Sequence, residues 1–163
     1  MEGQVERALA RARMAAAGGL QKRRCAVAPV VRRLVGALSR LPAAPALEWQ
    51  VAVDEDVVFP GDEGDLMEIL GNLLDNARKW GRGQVVISGS VIATRTSLTI
   101  DDDGPGMTLE EMRGIGRGQR WDESKPGTGF GLAIARDLAE ATGALMQVAG
   151  SPFGGLRVIL TWT

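Results

Sequence analysis

The stretch at residues 65–80 constrains the fold most. Leu66, Ile69, Leu70, Leu73, Leu74 and Ala77 recur at helical spacing, and at about 100° per residue they fall on one stripe. A helix with a single apolar stripe buries it against another layer and leaves its far side polar. The following residues supply that layer. Gly81 and Gly83 end the helix, and residues 84–91 and 93–101 alternate as two strands of a hairpin.

The rest of the chain continues the interleaving. Residues 23–27 read as extended. Pro29 then opens a helix through Val30, Val31, Leu34, Leu38 and Leu41, which Pro42 and Pro45 stop. Residues 47–53 alternate as a strand. Residues 104–127 are rich in glycine and charge with scattered apolar side chains, the pattern of a long, lid-like functional loop. Residues 128–142 form a helix with Leu132, Ile134, Ala135, Leu138 and Ala141 inward, and residues 145–149 and 156–162 close as a strand pair. Because hairpins dominate, the expected class is α+β: a two-layer α/β sandwich with helices on one face of a mixed sheet.

At 163 residues and 45% hydrophobic content, the chain can bury one core and carry an appendage. Nineteen basic against 20 acidic residues, net charge -1, give no global field toward nucleic acid or an anionic membrane. Cys25 is the single cysteine, which excludes an internal disulfide and points to an idle thiol. The chain holds no histidine, so any catalytic, metal-binding or phospho-accepting histidine must come from elsewhere. No apolar run approaches the roughly 20 residues of a membrane span, and the first residues lack a signal-peptide pattern. The expected location is cytoplasmic, with a membrane anchor still able to precede this segment.

Three places carry chemistry. Opposite the apolar stripe, Glu68, Asn72, Asn76 and Lys79 follow at spacings of four, four and three, placing two carboxamides, a carboxylate and an ammonium in one row. That row reads either as a solvated face or as the wall of a metal–nucleotide site, with Asn lending Mg²⁺ a neutral oxygen and Lys79 neutralising phosphate. The second place is Asp101-Asp102-Asp103-Gly104-Pro105-Gly106-Met107, directly after an apolar strand. It reads as an acidic turn or as a purine site, with glycines allowing close approach and a carboxylate accepting from an exocyclic amino group; its spacing does not follow a calcium-binding EF-hand loop. The third is Gly127-Thr128-Gly129-Phe130-Gly131-Leu132, opening a helix whose N–H groups and dipole would face an anion. It matches neither a Walker loop nor a dinucleotide fingerprint.

In this order, the segments ILGNLLDNARKW, DDDGPGM and GTGFGLAIARDLAEATGA resemble the N box and two glycine boxes of the GHKL ATP-binding superfamily, which includes histidine kinases, DNA gyrase, MutL and heat-shock chaperones. They are most similar to sensor histidine kinases, and RGQRWDESKPGTGFG resembles the lid of the PhoQ-like subgroup. The resemblance covers about residues 20–163 and implies the Bergerat sandwich with ATP and Mg²⁺ as cofactors. It implies that Asn72 holds Mg²⁺, that Asn76 and Lys79 meet phosphates or ribose, and that Trp80 flanks adenine. Asp102 would bind the adenine amino group in a pocket shaped by Gly104 and Gly106. Arg120 and Lys125 would reach the phosphates from the lid, Gly127, Thr128, Gly129 and Gly131 would hold lid and triphosphate, and Leu132 would sit beneath them.

Two departures stand out: the lid has no clear Phe-containing F box, and the histidine box is missing. The helix ERALARARMAAA resembles the end of a second dimerisation helix. Residues 1–19 are therefore expected to be the end of such a helix or a linker, and residues 20–163 the catalytic domain. The implied reaction moves the ATP γ-phosphoryl group to a histidine on a dimerisation domain, upstream or in trans, with Asn72, Lys79 and Arg120 offsetting charge and a response regulator downstream. Neither nucleic acid nor a membrane is an expected partner of this segment. The alternatives are a GHKL-type ATPase with Glu68 as base, a serine kinase, and a non-catalytic nucleotide-regulated binding module. The isolated chain is expected to be mainly monomeric.

Overall fold

A computed structural model describes residues 23–42, 45–115 and 130–163. In chain order the elements are β1 (Cys25–Ala26), α1 (Val27–Leu38), β2 (Glu48–Val53), β3 (Val58–Phe59), α2 (Glu63–Trp80), β4 (Gln84–Ile92), β5 (Arg95–Asp102), α3 (Leu109–Gly114), α4 (Gly131–Ala141), β6 (Leu145–Gly150) and β7 (Leu156–Trp162).

Helix α2 forms where the periodicity places it. Asp62 caps its start by accepting from the Asp65 N–H at 2.8 Å. Glu63 and Asp65 lie in its first turn and Arg78 and Lys79 in its last, which suits the helix dipole at both ends. All six stripe residues are buried. Gly81 ends the helix, donating its N–H to the Ala77 carbonyl at 2.8 Å.

The main sheet has the order β2-β4-β5-β7-β6. β2 and β4 run parallel and the other neighbours antiparallel. Parallel strands need a crossover, and α2 lies in that connection. Alternation turns Val85, Ile87, Leu98, Ile100, Val158 and Leu160 into the core shared with α1, α2 and α4, while Ser88, Ser90, Ser97 and Thr99 take the other face at intermediate exposure. The architecture is the expected α+β sandwich, helices on one face of a mixed sheet.

Several boundaries differ from expectation. Helix α1 starts at Val27, with Pro29 inside the first turn, where a missing N–H costs no helical bond. It ends at Leu38, so Leu41 lies beyond the helix and is 47% exposed. Ala141, expected inward, is exposed, and Ala139 fills the core instead. A short ribbon of β1 against β3 is additional. The Trp162 indole N–H donates to the Val58 carbonyl at 2.7 Å, and its ring meets Phe59 edge-on at 5.7 Å, which fixes that ribbon to β7. Within the stretch read as a loop, residues 109–114 form α3, started by a capping box between Thr108 and Glu111. Cys25 is half-buried, and burial followed by Glu63, Asp62 and Asp65 pushes its thiol up to about 11, an inert state.

Candidate functional site

The three aspartates at the end of β5 divide into three environments. Asp101 is gripped by Arg157 across the strands, Nε to Oδ1 at 2.7 Å and Nη2 to Oδ2 at 2.9 Å. Asp103 turns back to the end of α2, where its Oδ1 accepts from the Arg82 and Gly83 N–H groups at 2.7 and 3.0 Å. Burial acts to raise its carboxyl, but the N–H groups of Arg82, Gly83 and Gln84 outweigh that and hold it below the usual range.

Asp102 lies on the helix side, 3% exposed. Its Oδ1 accepts from the Gly104 N–H at 2.9 Å and the Leu156 N–H at 3.1 Å. Among the described residues both bonds end on Oδ1, which leaves Oδ2 as the acceptor available to a ligand. Burial pushes this carboxyl up; the two N–H groups offset part of the rise, and Asp103 and Asp101 add to it. Gly104 passes so close to α2 that a Cβ would stand 2.5 Å from the Trp80 carbonyl oxygen. Gly106 has φ +71, the left-handed region where glycine carries no steric cost. Gly104 thus brings the acidic end of β5 against the last residue of α2, and a Cβ at Gly106 would stand 3.2 Å from the Gly155 carbonyl oxygen.

Two turns earlier on α2, Asn72 faces the start of α4. Its Nδ2 donates to the Glu68 carbonyl at 2.8 Å, and its Oδ1 stands 3.5 Å from where a Gly131 Cβ would lie. Helix α4 carries no acidic residue in its first turn, so none of that turn's own side chains offsets its positive end. Leu132 is buried immediately after it. Asn76 and Lys79 are half-buried rather than fully solvated. The Lys79 Nζ pairs with Asp75 Oδ2 at 3.0 Å, while Arg78 holds Asp75 Oδ1 through Nε at 3.0 Å and Nη2 at 2.8 Å. Burial acts to raise the Asp75 carboxyl, but its hydrogen bonds from Lys79 and Arg78 outweigh that and hold it low.

Helix α2 thus joins two ends of one candidate site. Trp80 and Asp102 lie at one end and Asn72 and Gly131 at the other, eight residues or about 12 Å apart along the axis, a span on the scale of a nucleoside triphosphate. Arg120, Lys125, Gly127, Thr128 and Gly129 lie outside the described residues. Sequence reasoning missed the Leu156 N–H and Asp75. The first is a backbone group with no sequence signal. The second was readable from its spacing of four to Lys79.

The sequence pattern of the histidine kinase-, DNA gyrase B- and HSP90-like ATPase family matches residues 61–163. Sensor protein kinase CarS of Pseudomonas aeruginosa is 42% identical over 120 residues, covering 73% of this chain and 27% of that protein. Virulence sensor histidine kinase PhoQ of Salmonella typhimurium is 33% identical over 152 residues, 92% of this chain and 31% of that protein. The chain therefore spans less than a third of the length of these relatives. Among solved structures, the mycobacterial sensor histidine kinase MprB aligns with a TM-score of 0.74 at 26% identity, covering 86% of this chain and 95% of that one. Full-length ShkA, solved in complex with AMPPNP, aligns with a TM-score of 0.73 at 26% identity, covering 96% and 34%. The chain belongs to the histidine kinase-, DNA gyrase B- and HSP90-like ATPase family, as an ATP-binding domain of the sensor histidine kinase type.

Proposed function

We propose that this domain binds ATP with Mg²⁺ along α2 and presents the γ-phosphoryl group to a histidine on a dimerisation domain, with a response regulator as the later acceptor. The observation that carries the reading is the joint placement of a buried carboxylate, Asp102, at one end of α2 and the Asn72 amide against the start of α4 at the other. Asp102 Oδ2 accepts from the adenine amino group, with Trp80 flanking the base and Gly104 and Gly106 admitting it. Asn76 and Lys79 meet ribose or phosphates, and Gly131 and the first turn of α4 take the phosphate end above Leu132.

The Asn72 amide suits Mg²⁺: Nδ2 is held by the Glu68 carbonyl, which leaves a neutral oxygen of the hard type this ion takes. When bound, the ion neutralises phosphate charge. The chain's own part is positioning. Asp102 fixes the base, α2 sets the distance to the phosphates, and Lys79 exchanges its Asp75 partner for phosphate. Arg120 and Lys125, with Gly127, Thr128 and Gly129, complete the lid side in this proposal. With no histidine in the chain, the acceptor comes from another segment or another chain. Residues 1–19, which lie outside the described residues, are in this proposal the end of a dimerisation helix or a linker. No helix among the described residues is long and apolar enough to cross a membrane, and the proposed location of this domain is the cytoplasm.

Calorimetric titration of ATP, with and without Mg²⁺, into the wild type, Asn72→Ala and Asp102→Ala tests the reading. The expected result is saturable binding that requires Mg²⁺ and Asn72 and is lost with Asp102. A folded wild type that binds no ATP would sink it. Phosphotransfer to a supplied histidine-bearing dimerisation domain, against steady ATP hydrolysis without one, then separates a kinase from an ATPase.

A further inference from the structure

We infer that Gly155, in the loop between β6 and β7, is a positioning residue for base recognition, acting through Asp102; the inference rests on the proposed nucleotide reading. Gly155 is buried, and its φ lies outside the left-handed region. Conformation gives no reason for a glycine there, so the reason is space. A Cβ at residue 155 would stand 2.5 Å from the Gly104 N and closer still to the Oδ1 and the carbonyl oxygen of Asp102. All three are parts of the base end of the site. No real Cβ tolerates such contacts, and two of the three crowded atoms are backbone, so the loop retreats, with or without a turn of the Asp102 side chain.

Either movement has the same chemical result. The Leu156 N–H, one residue on from Gly155, shares Asp102 Oδ1 with the Gly104 N–H. These two donors orient the carboxylate so that Oδ2 is the oxygen left for a ligand. Retreat of the loop withdraws the Leu156 donor, and rotation of Asp102 breaks both bonds. The Oδ2 atom then no longer stands where a purine amino group needs an acceptor, although the fold around it persists. Gly150, at the end of β6, is the matched control, because a Cβ there meets nothing within 4 Å.

A pair of ligands separates positioning from general damage. ATP and purine riboside triphosphate differ by the 6-amino group alone, so the ratio of their affinities reads the Asp102 contact. In the wild type ATP is expected to bind about 10- to 100-fold more tightly, the worth of one hydrogen bond to a charged group. In Gly155→Ala that ratio is expected to collapse toward one while purine riboside triphosphate binds as it does to the wild type; Gly150→Ala keeps the wild-type ratio. A merely structural defect weakens both ligands together. Gly155→Ala keeping the wild-type ratio, losing both ligands equally while folded, or a wild type that does not discriminate overturns the inference. A wild type that binds neither ligand overturns the nucleotide reading, and this inference with it. If Gly155→Ala does not fold, the wild-type amide resonances decide. Gly104 and Leu156 are expected to shift together on saturation with ATP and not with purine riboside triphosphate, and shifts that do not distinguish the two ligands count against the proposal.

Discussion

Three consecutive aspartates at the end of β5 carry the same side chain into three electrostatic settings, and Asp102 is the one whose charge the fold resists. Burial raises its carboxyl above the ordinary aspartate value. The folded chain therefore holds that proton more tightly than the unfolded chain, so the group's contribution favours folding at low pH and is lost as pH rises through the folded value. Asn at this position keeps an Oδ1 for the Gly104 and Leu156 N–H groups but carries no charge. Asp102→Asn is expected to be at least as stable as the wild type at neutral pH, with its advantage shrinking as pH falls toward the ordinary aspartate range. It is also expected to bind ATP about 10- to 100-fold more weakly, because an NH₂ group then faces the purine amino group. Urea unfolding of both proteins from neutral pH down to about pH 4, the ordinary aspartate range, checks the first part; a variant that is less stable throughout, with an unchanged difference, contradicts it. The acidic run was legible as an unusual strand end. The family resemblance singled out Asp102, but the reason the three aspartates differ was not legible, because the partners that sort them, Arg157 and Leu156, lie more than fifty residues away in sequence.

At the scale of elements, α3 shows what compositional reading hides. Its six residues follow a glycine-rich turn, and their charge made the stretch look like loop. The start signal was nevertheless present: Thr108 accepts from the Glu111 N–H at 3.3 Å, and the Glu111 side chain accepts from the Thr108 N–H at 2.6 Å. In so short a helix, one cap supplies a large share of the order. Thr108→Ala is expected to cost about 1 kcal/mol, seen as faster amide exchange across residues 109–114. Unchanged exchange there would mean that packing of Ile115 and Met112, rather than the cap, holds the helix. Helix α2 was legible almost to the residue because its buried stripe repeats through every turn. The two-residue strand β3 was not, since two residues show no period, whereas β1 lies within the stretch 23–27 that reads as extended. Asn72, Asp102 and Gly131 were read as separate motifs joined only by the family resemblance, and the packing of α2 against β5 and α4 accounts for their placement along one candidate site.

At the scale of the whole molecule, the least legible feature is the place of β7, which enters between β5 and β6 rather than beside its sequence neighbour alone. Pairing across that distance is set by which edges remain free after the earlier hairpin forms, not by any local pattern. The consequence is that one strand serves two distant regions. Leu156 at its start donates to Asp102, and Trp162 at its end pins Val58 and Phe59 of the ribbon that leads into α1. Six residues of extended chain separate them by about 20 Å. Stability and binding are therefore expected to separate along β7. Trp162→Phe retains an aromatic ring beside Phe59 but removes the indole N–H, leaving the Val58 carbonyl without that donor. A loss of about 1–2 kcal/mol in unfolding free energy is expected, measured by urea denaturation, because the ribbon and α1 share one core with the sheet. ATP affinity of the folded variant should stay within about twofold of the wild type, since sites this far apart with no shared partner combine additively. A parallel fall in affinity would show that β7 transmits strain from the ribbon to Asp102, and an unchanged unfolding midpoint would show that the ribbon is held by apolar packing alone.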